Sequence, residues 1–287
     1  MTTQHSLKTL PLRGATQPTE MPALGFGTYQ IDSEQCQTSV AKAIECGYRH
    51  IDTAQFYDNE SGVGRAIKSS GIARADLFLT TKVWIDNFAP GDLEQSVEES
   101  LNKLQCDYVD LLLLHWPNPD VKLSDTLKSL QSVQEAGKCR AIGVSNFTTK
   151  LITEACSVLG DNLACNQVEY HVLLSQKPVL DACRQHDMAL TAYSPLAQGR
   201  LREHPTLTEI GLKYGKSASQ VALRWLIDQP GVAAIPKAAS EANMKANIDI
   251  LDFELSAEDY TKLNELNAKS HERVVNPGIA PQWDKAA

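Results

Sequence analysis

Eight short apolar runs recur along this 287-residue chain, and each is followed by a longer stretch of helical character. The runs span 23–28, 50–54, 77–83, 109–115, 140–146, 165–170, 189–195 and 232–237. They are hydrophobic almost continuously rather than at alternate positions. A strand of that kind buries both faces, as in a parallel sheet covered by helices. Helices are expected near 33–46, 60–69, 91–104, 124–136, 148–159, 176–187, 217–228 and 240–248. Several open on a capping residue or an early acid: Ser33-Glu34, Asn59-Glu60, Ser124-Asp125 and Ser240-Glu241. Several close at a glycine, namely Gly47, Gly71, Gly137 and Gly160.

Eight strand-plus-helix units in a chain of this length fit an α/β fold of the (β/α)8 TIM-barrel type better than an open doubly wound sheet. With no internal linker or repeat, residues 1–287 read as a single barrel domain. The first 20 residues are expected to form an N-terminal hairpin closing the barrel bottom. Residues 254–268 read as an extra C-terminal helix, and the tail after Ser270 as a loop over the mouth.

Composition narrows the partners. The formal charge is −8 and no Lys/Arg-rich run occurs, which argues against nucleic acid. The longest aliphatic run is Leu111 to Leu114, far too short to cross a bilayer, and the N-terminus lacks the apolar core of a secretion signal. The seven cysteines include no C-x-x-C pair, so they read as buried thiols of a cytoplasmic protein rather than a disulfide framework or zinc site. No metal is expected. Neither a phosphate loop, an H-E-x-x-H helix nor a G-x-S-x-G elbow is present, and the two glycine pairs in GFGTYQ and GVGRAI lack the third glycine of a dinucleotide fingerprint.

Three polar residues stand at the ends of three successive runs: Asp52 in HIDTA, Lys82 in LFLTTKV and His115 in YVDLLLLHW. They are 30 and 33 residues apart, about one strand-plus-helix unit each. In a parallel barrel such strand ends point into one mouth. Tyr57, five residues after Asp52, belongs to the loop above it. Singly, each has a plainer use: Asp52 as a turn cap, Lys82 as a solvated rim residue, His115 and Tyr57 as packing. Together they suit proton delivery to a carbonyl oxygen. An ammonium beside a phenol is expected to lower its pKa, a carboxylate holds the ammonium, and an imidazole donates a hydrogen bond to the substrate.

The ordered motifs GYRHIDTAQFYDNE, LTTKVW, DLLLLHWP, GVSNF, NQVEYH, AYSPLAQG and IPKA resemble the aldo-keto reductases from about Gly25 to Leu255. The resemblance implies a barrel that binds NADPH extended across its mouth. It implies Tyr57 as proton donor, tuned by Lys82 and Asp52, with His115 orienting the carbonyl. Ser145, Asn146 and Gln167 would hold the nicotinamide carboxamide, and Tyr193 would stack on its ring. Thr28, Asp52, Ser194 and Leu196 complete that end of the cofactor site. Lys237, Ser240 and Asn243 would face the 2′-phosphate, and Asn247 the adenine. Tyr29, Trp84 and Trp116 would line the substrate pocket with His115. Asp86, Asn87 and Asn118 offer polar contacts to hydroxylated substrates.

One position departs from the family pattern. Asn243 stands where an arginine usually grips the 2′-phosphate, and Glu241 beside it would repel one. NADPH remains the expected cofactor, with NADH a second option. The short stretch from Ala197 to Pro205 resembles the bacterial members that reduce diketo-sugar acids and small aldehydes. The expectation is a monomeric, cytoplasmic NADPH-dependent reductase of aldehydes and ketones. Its rivals are an NAD-preferring alcohol or polyol dehydrogenase on the same scaffold and, in another class, a non-catalytic cofactor-binding protein.

Overall fold

The computed structural model describes residues 8–285. A hairpin of β1 (Thr9–Pro11) and β2 (Glu20–Pro22) comes first. Eight parallel strands follow: β3 (Phe26–Gly27), β4 (His50–Asp52), β5 (Phe78–Val83), β6 (Val109–Leu114), β7 (Cys139–Ser145), β8 (Leu163–Glu169), β9 (Ala189–Tyr193) and β10 (Val232–Ala234). They lie side by side in chain order. The ends of the series meet: the Gly25 N–H donates to the Ala234 carbonyl, and the Ala234 N–H to the Ala23 carbonyl, both at 2.8 Å. The sheet therefore closes into a (β/α)8 barrel. The first expected strand, 23–28, is regular only at Phe26–Gly27, because it forms this seam between two short partners. At Gly27 any Cβ would meet the Ile235 carbonyl oxygen at 2.7 Å, so the seam needs glycine there.

The helices are α1 (Ser33–Glu45), α2 (Glu60–Ser69), α3 (Asp92–Leu104), α4 (Leu123–Glu135), α5 (Thr149–Leu159), α6 (Lys177–Gln185), α7 (Pro205–Tyr214), α8 (Ala218–Asp228), α9 (Glu241–Ile248) and α10 (Ala257–Ala268). All match expected helices within a few residues except α7, which was not anticipated. The glycines at 47, 71, 137 and 160 all take positive φ, as helix ends require. The expected caps fare differently. Ser240 accepts from the Asn243 N–H at 3.2 Å, but Ser124 lies inside α4. Asn59 makes no cap bond; its amide donates to the Thr28 and Ile31 carbonyls instead, tying the loop after β3 to the start of α2.

The hairpin closes the bottom. The Thr16 N–H donates to the Arg140 carbonyl at the start of β7, Lys8 donates to the Ile227 carbonyl, and Arg13 pairs with Asp161 just before β8. The extra helix α10 is held by the buried Trp225 of α8, whose indole N–H donates to Asn264 at 2.9 Å. Strand register then sets the mouth. Lys82 pairs with Leu113 and Val83 with Leu114, so His115 emerges one step above Val83. Ser145 pairs with Gln167, and Glu169 with Tyr193.

Among the described residues, no helix is long and apolar enough to cross a membrane, and no cluster of three or more His, Cys, Asp or Glu side chains has the arrangement to hold a metal. All seven cysteines are free thiols.

Candidate active site

A cavity of about 1070 Å³ opens at the C-terminal ends of the barrel strands. Its floor holds Asp52, Tyr57 and His115, with Lys82 immediately beneath. Lys82 is wholly buried. Its three N–H groups all have partners: Asp52 Oδ1 at 2.5 Å, the Thr53 carbonyl at 2.9 Å and the Tyr57 hydroxyl at 3.2 Å. The second carboxylate oxygen of Asp52 accepts from Gln167 Nε2 at 2.7 Å. Strands β4, β5 and β8 thus meet at one carboxylate.

Protonation follows burial. Burial, followed by the nearby Asp52 and Tyr29, pushes the Tyr57 phenol well above its ordinary pKa. The direction is opposite to the lowered value expected from the sequence, because desolvation of the phenolate comes first and the Asp52 carboxylate adds to it. Burial also lowers Lys82, against the pull of Asp52. His115 is held well below the usual histidine value, first by burial and then by Lys82, so it is a neutral imidazole. Its Nδ1 is buried without a partner among the described residues. The imidazole ring stands edge-on to Tyr57, 5.5 Å between centroids, and to Trp84 at 5.3 Å.

The remaining wall divides in two. Tyr29, Trp84 and Trp116 line the cavity beside the floor. So does Phe56, which stacks on Trp84 at 4.1 Å and had no part in the sequence expectations. Asp86, Asn87 and Asn118 do not line it. Asn87 donates to Gln55 and Asn118 to the Ile85 carbonyl, so both brace loops, while Asp86 faces solvent.

On the other side Ser145, Asn146, Gln167, Tyr193, Ser194 and Leu196 all line the cavity. Asn146 is fixed on both ends: Nδ2 donates to the His115 carbonyl and Oδ1 accepts from the Tyr193 hydroxyl at 2.8 Å. Asn146 and Ser194 take positive φ, 64° and 46°, a strained backbone of the kind that collects at functional sites. Lys237 and Asn243 line the far end, together with Arg202, which sequence reasoning also missed. Three expected cofactor residues stand back from the lining. Thr28 is buried and donates to the Asp52 carbonyl, Ser240 caps α9, and Asn247 is buried on that helix. The tail forms the roof through Val274, Val275, Asn276 and Pro277.

Four similarities meet on this geometry. A sequence model described as the aldo/keto reductase family matches residues 23–268. The chain is 45% identical to glyoxal reductase of Bacillus subtilis over 249 residues, 86% of this chain and 90% of that protein. It is 38% identical to methylglyoxal reductase of Escherichia coli O157:H7 over 268 residues, 92% of this chain and 99% of that protein. A solved structure provisionally assigned as a 2,5-diketo-D-gluconic acid reductase B superposes with a TM-score of 0.92 at 46% identity, covering 98% of both chains. The chain belongs to the aldo/keto reductase family, and is an oxidoreductase of the class that acts on small-molecule carbonyl compounds with a nicotinamide cofactor.

Proposed function

We propose that this protein reduces aldehydes and ketones to alcohols with NADPH, and that small dicarbonyl compounds such as methylglyoxal, and diketo-sugar acids, are among its substrates. The observation that carries the reading is the buried Lys82–Asp52 pair whose third donor reaches the Tyr57 hydroxyl on the cavity floor. The names of the glyoxal, methylglyoxal and diketogluconate relatives support the substrate class.

The residues present suit a nicotinamide dinucleotide. The Gln167 amide has its N–H on Asp52, while its oxygen has no protein partner among the described residues and is free to accept from a carboxamide. The Tyr193 hydroxyl is tied to Asn146, which leaves its ring as part of the wall. Lys237, Arg202 and the start of α9 form a cationic end suited to phosphate. When bound, the reduced nicotinamide supplies a hydride to the carbonyl carbon.

The chain's own part is the proton. As the carbonyl oxygen gains negative charge it becomes a far stronger base than a phenolate, so Tyr57 serves as donor even with a raised pKa. Lys82 already donates to the phenolic oxygen and stabilises the anion left there, and Asp52 keeps Lys82 charged and fixed. His115 works as a neutral donor. An unpaired buried acceptor costs less than an unpaired buried N–H, so the partnerless Nδ1 is the bare nitrogen and Nε2 carries the proton. That N–H polarises the carbonyl.

Asn243 favours a second reading within the same chemistry, in which NADH is also used, because a neutral amide gives up the bidentate arginine contact to a 2′-phosphate. Monomeric action is supported by the closed barrel and by the exposed large apolar residues: of Tyr29, Phe56, Leu212 and Ile279, three line the cavity. The free thiols suit the reducing cytoplasm. The test is NADPH consumption on adding methylglyoxal, repeated with NADH. Turnover with both, faster with NADPH, is expected. Tight cofactor binding without turnover of any carbonyl in a panel would overturn the reading in favour of a non-catalytic protein.

A further inference from the structure

We propose that Glu169 is a positioning residue for carbonyl reduction, fastening the C-terminal segment across the cavity and thereby setting the space left to the substrate. The proposal rests on the reading above only in taking the cavity as the substrate site.

Glu169 ends β8, two residues after Gln167. Its side chain is completely shielded from solvent, with 0% exposure. A bare carboxylate in such a place is costly unless it is hydrogen-bonded and paired. Here it is both, and almost wholly by the tail. Oε1 accepts from the Val274 N–H at 2.7 Å and from His171 Nε2 at 3.0 Å. Oε2 accepts from the Val275 N–H at 2.9 Å, and Arg273 Nη1 stands 3.6 Å away. Two consecutive backbone N–H groups closing on one anion form the concave arrangement that binds anions elsewhere.

What this anchor holds is the roof. Val274 and Val275 line the cavity, and Asn276 and Pro277 continue it. The segment is tied again further on. The Arg273 guanidinium lies 3.7 Å over the Trp283 ring, and Trp283 meets Trp116, a wall residue, at 6.2 Å. Asp284 accepts from the Thr149 N–H and hydroxyl at the start of α5. Glu169 makes no hydrogen bond or ion pair to Asp52, Tyr57, Lys82 or His115. Its role is therefore to place the roof rather than to move a proton. It also gives a use to the glutamate and histidine of NQVEYH, which the proton-delivery scheme leaves idle.

The test is Glu169→Gln, nearly isosteric, which turns one acceptor into an NH2 group facing backbone donors. Four quantities are read: amide hydrogen exchange of the 273–284 peptide, KM and kcat for methylglyoxal and for benzaldehyde, and the Kd of NADPH. The expected result is about tenfold faster exchange in the tail and a KM raised, or a KM ratio between the two aldehydes shifted, by about tenfold, the loss typical of charge-assisted hydrogen bonds. At saturation, kcat and the Kd of NADPH should stay within about twofold, since only ground-state positioning is lost. Unchanged KM values for both aldehydes would overturn the proposal whether or not the tail loosens. So would a fall in kcat with KM unchanged, which would put Glu169 in the chemical step. If Glu169→Gln does not fold, Arg273→Met carries the same readouts, with an expected KM change of about threefold in the same direction because the flanking cation and its contact with the Trp283 ring are lost while both backbone N–H bonds to Glu169 stay. A wild-type enzyme that reduces neither aldehyde would fail the proposed function instead, and tail exchange would still decide whether Glu169 is the anchor.

Discussion

Lys82 Nζ stands 3.2 Å from the phenolic oxygen of Tyr57, and its two other N–H groups are already held by Asp52 and the Thr53 carbonyl. The ammonium cannot turn away from the tyrosine without breaking a buried ion pair. Its influence on Tyr57 is therefore built into the fold. Tyr57→Phe removes the proposed proton donor and leaves this frame intact. We expect kcat for methylglyoxal to fall by about 10²–10⁴-fold, with NADPH affinity nearly unchanged. Stopped-flow and equilibrium titration of the variant check this; near wild-type kcat would remove Tyr57 from the role.

Stability and chemistry separate at the ion pair. Lys82→Met strands the Asp52 carboxylate with Gln167 alone, and leaving one buried charge unpaired costs about 3–5 kcal/mol. Adding Asp52→Asn removes the stranded charge and should restore much of that stability in chemical denaturation. The double variant should remain as inactive as the single one. Recovered activity would mean that the ammonium is dispensable.

His115 and His50 are both buried and both held below the ordinary histidine pKa, chiefly by burial. In the unfolded chain they take up protons near pH 6.5, whereas the folded protein resists doing so. The unfolded state thus binds more protons below that pH, and stability falls as the solution is acidified from about 6.5 toward the depressed folded values. Denaturation midpoints should decline over that window, and less steeply in His115→Gln. The rate of reduction should show no break near 6.5, because the imidazole stays neutral. A rate that rises with protonation at that pH would identify an imidazolium donor.

The far end of the cavity is where we propose that cofactor choice is set. Lys237, Arg202 and Asn243 line it together. Lys237→Met and Arg202→Met should each weaken NADPH by about tenfold and NADH far less, as expected for a lost charge-assisted phosphate contact. Asn243→Arg should tighten NADPH selectively. Fluorescence titration with both cofactors checks all three; equal losses for NADPH and NADH would move the 2′-phosphate elsewhere.

The barrel was legible because the strands are buried on both faces and read as nearly continuous apolar runs, LLLL in β6 being the plainest. The floor was legible because Asp52, Lys82 and His115 recur at the length of one strand-plus-helix unit. Helix α7 escaped notice because PTLTEIGLKY buries only Leu207, Ile210 and Gly211, too few to show a periodic stripe, although Pro205 at its start and Gly215 after it are ordinary helix boundaries. The state of Tyr57 was not readable at all. Residue identities name its charged neighbours, but only the folded surroundings show how deeply the phenol is buried and that burial pushes its pKa up. The roof was anticipated as a loop, yet its fastening joins residues 105 positions apart, which no local pattern displays.

Asp52 receives Lys82 from the adjacent strand β5 and Gln167 from β8, four places along the eight-strand ring from β4. One carboxylate thus braces the barrel across its width at the level where proton transfer is proposed. The roof hangs from that ring by a separate segment with its own anchor. An ancestor could have exchanged one tail for another, and with it one diet of carbonyl compounds for another, while the machinery beneath stayed in calibration. The same division gives engineers a place to begin: libraries confined to the segment after Ser270 should widen or narrow substrate range at little cost to turnover.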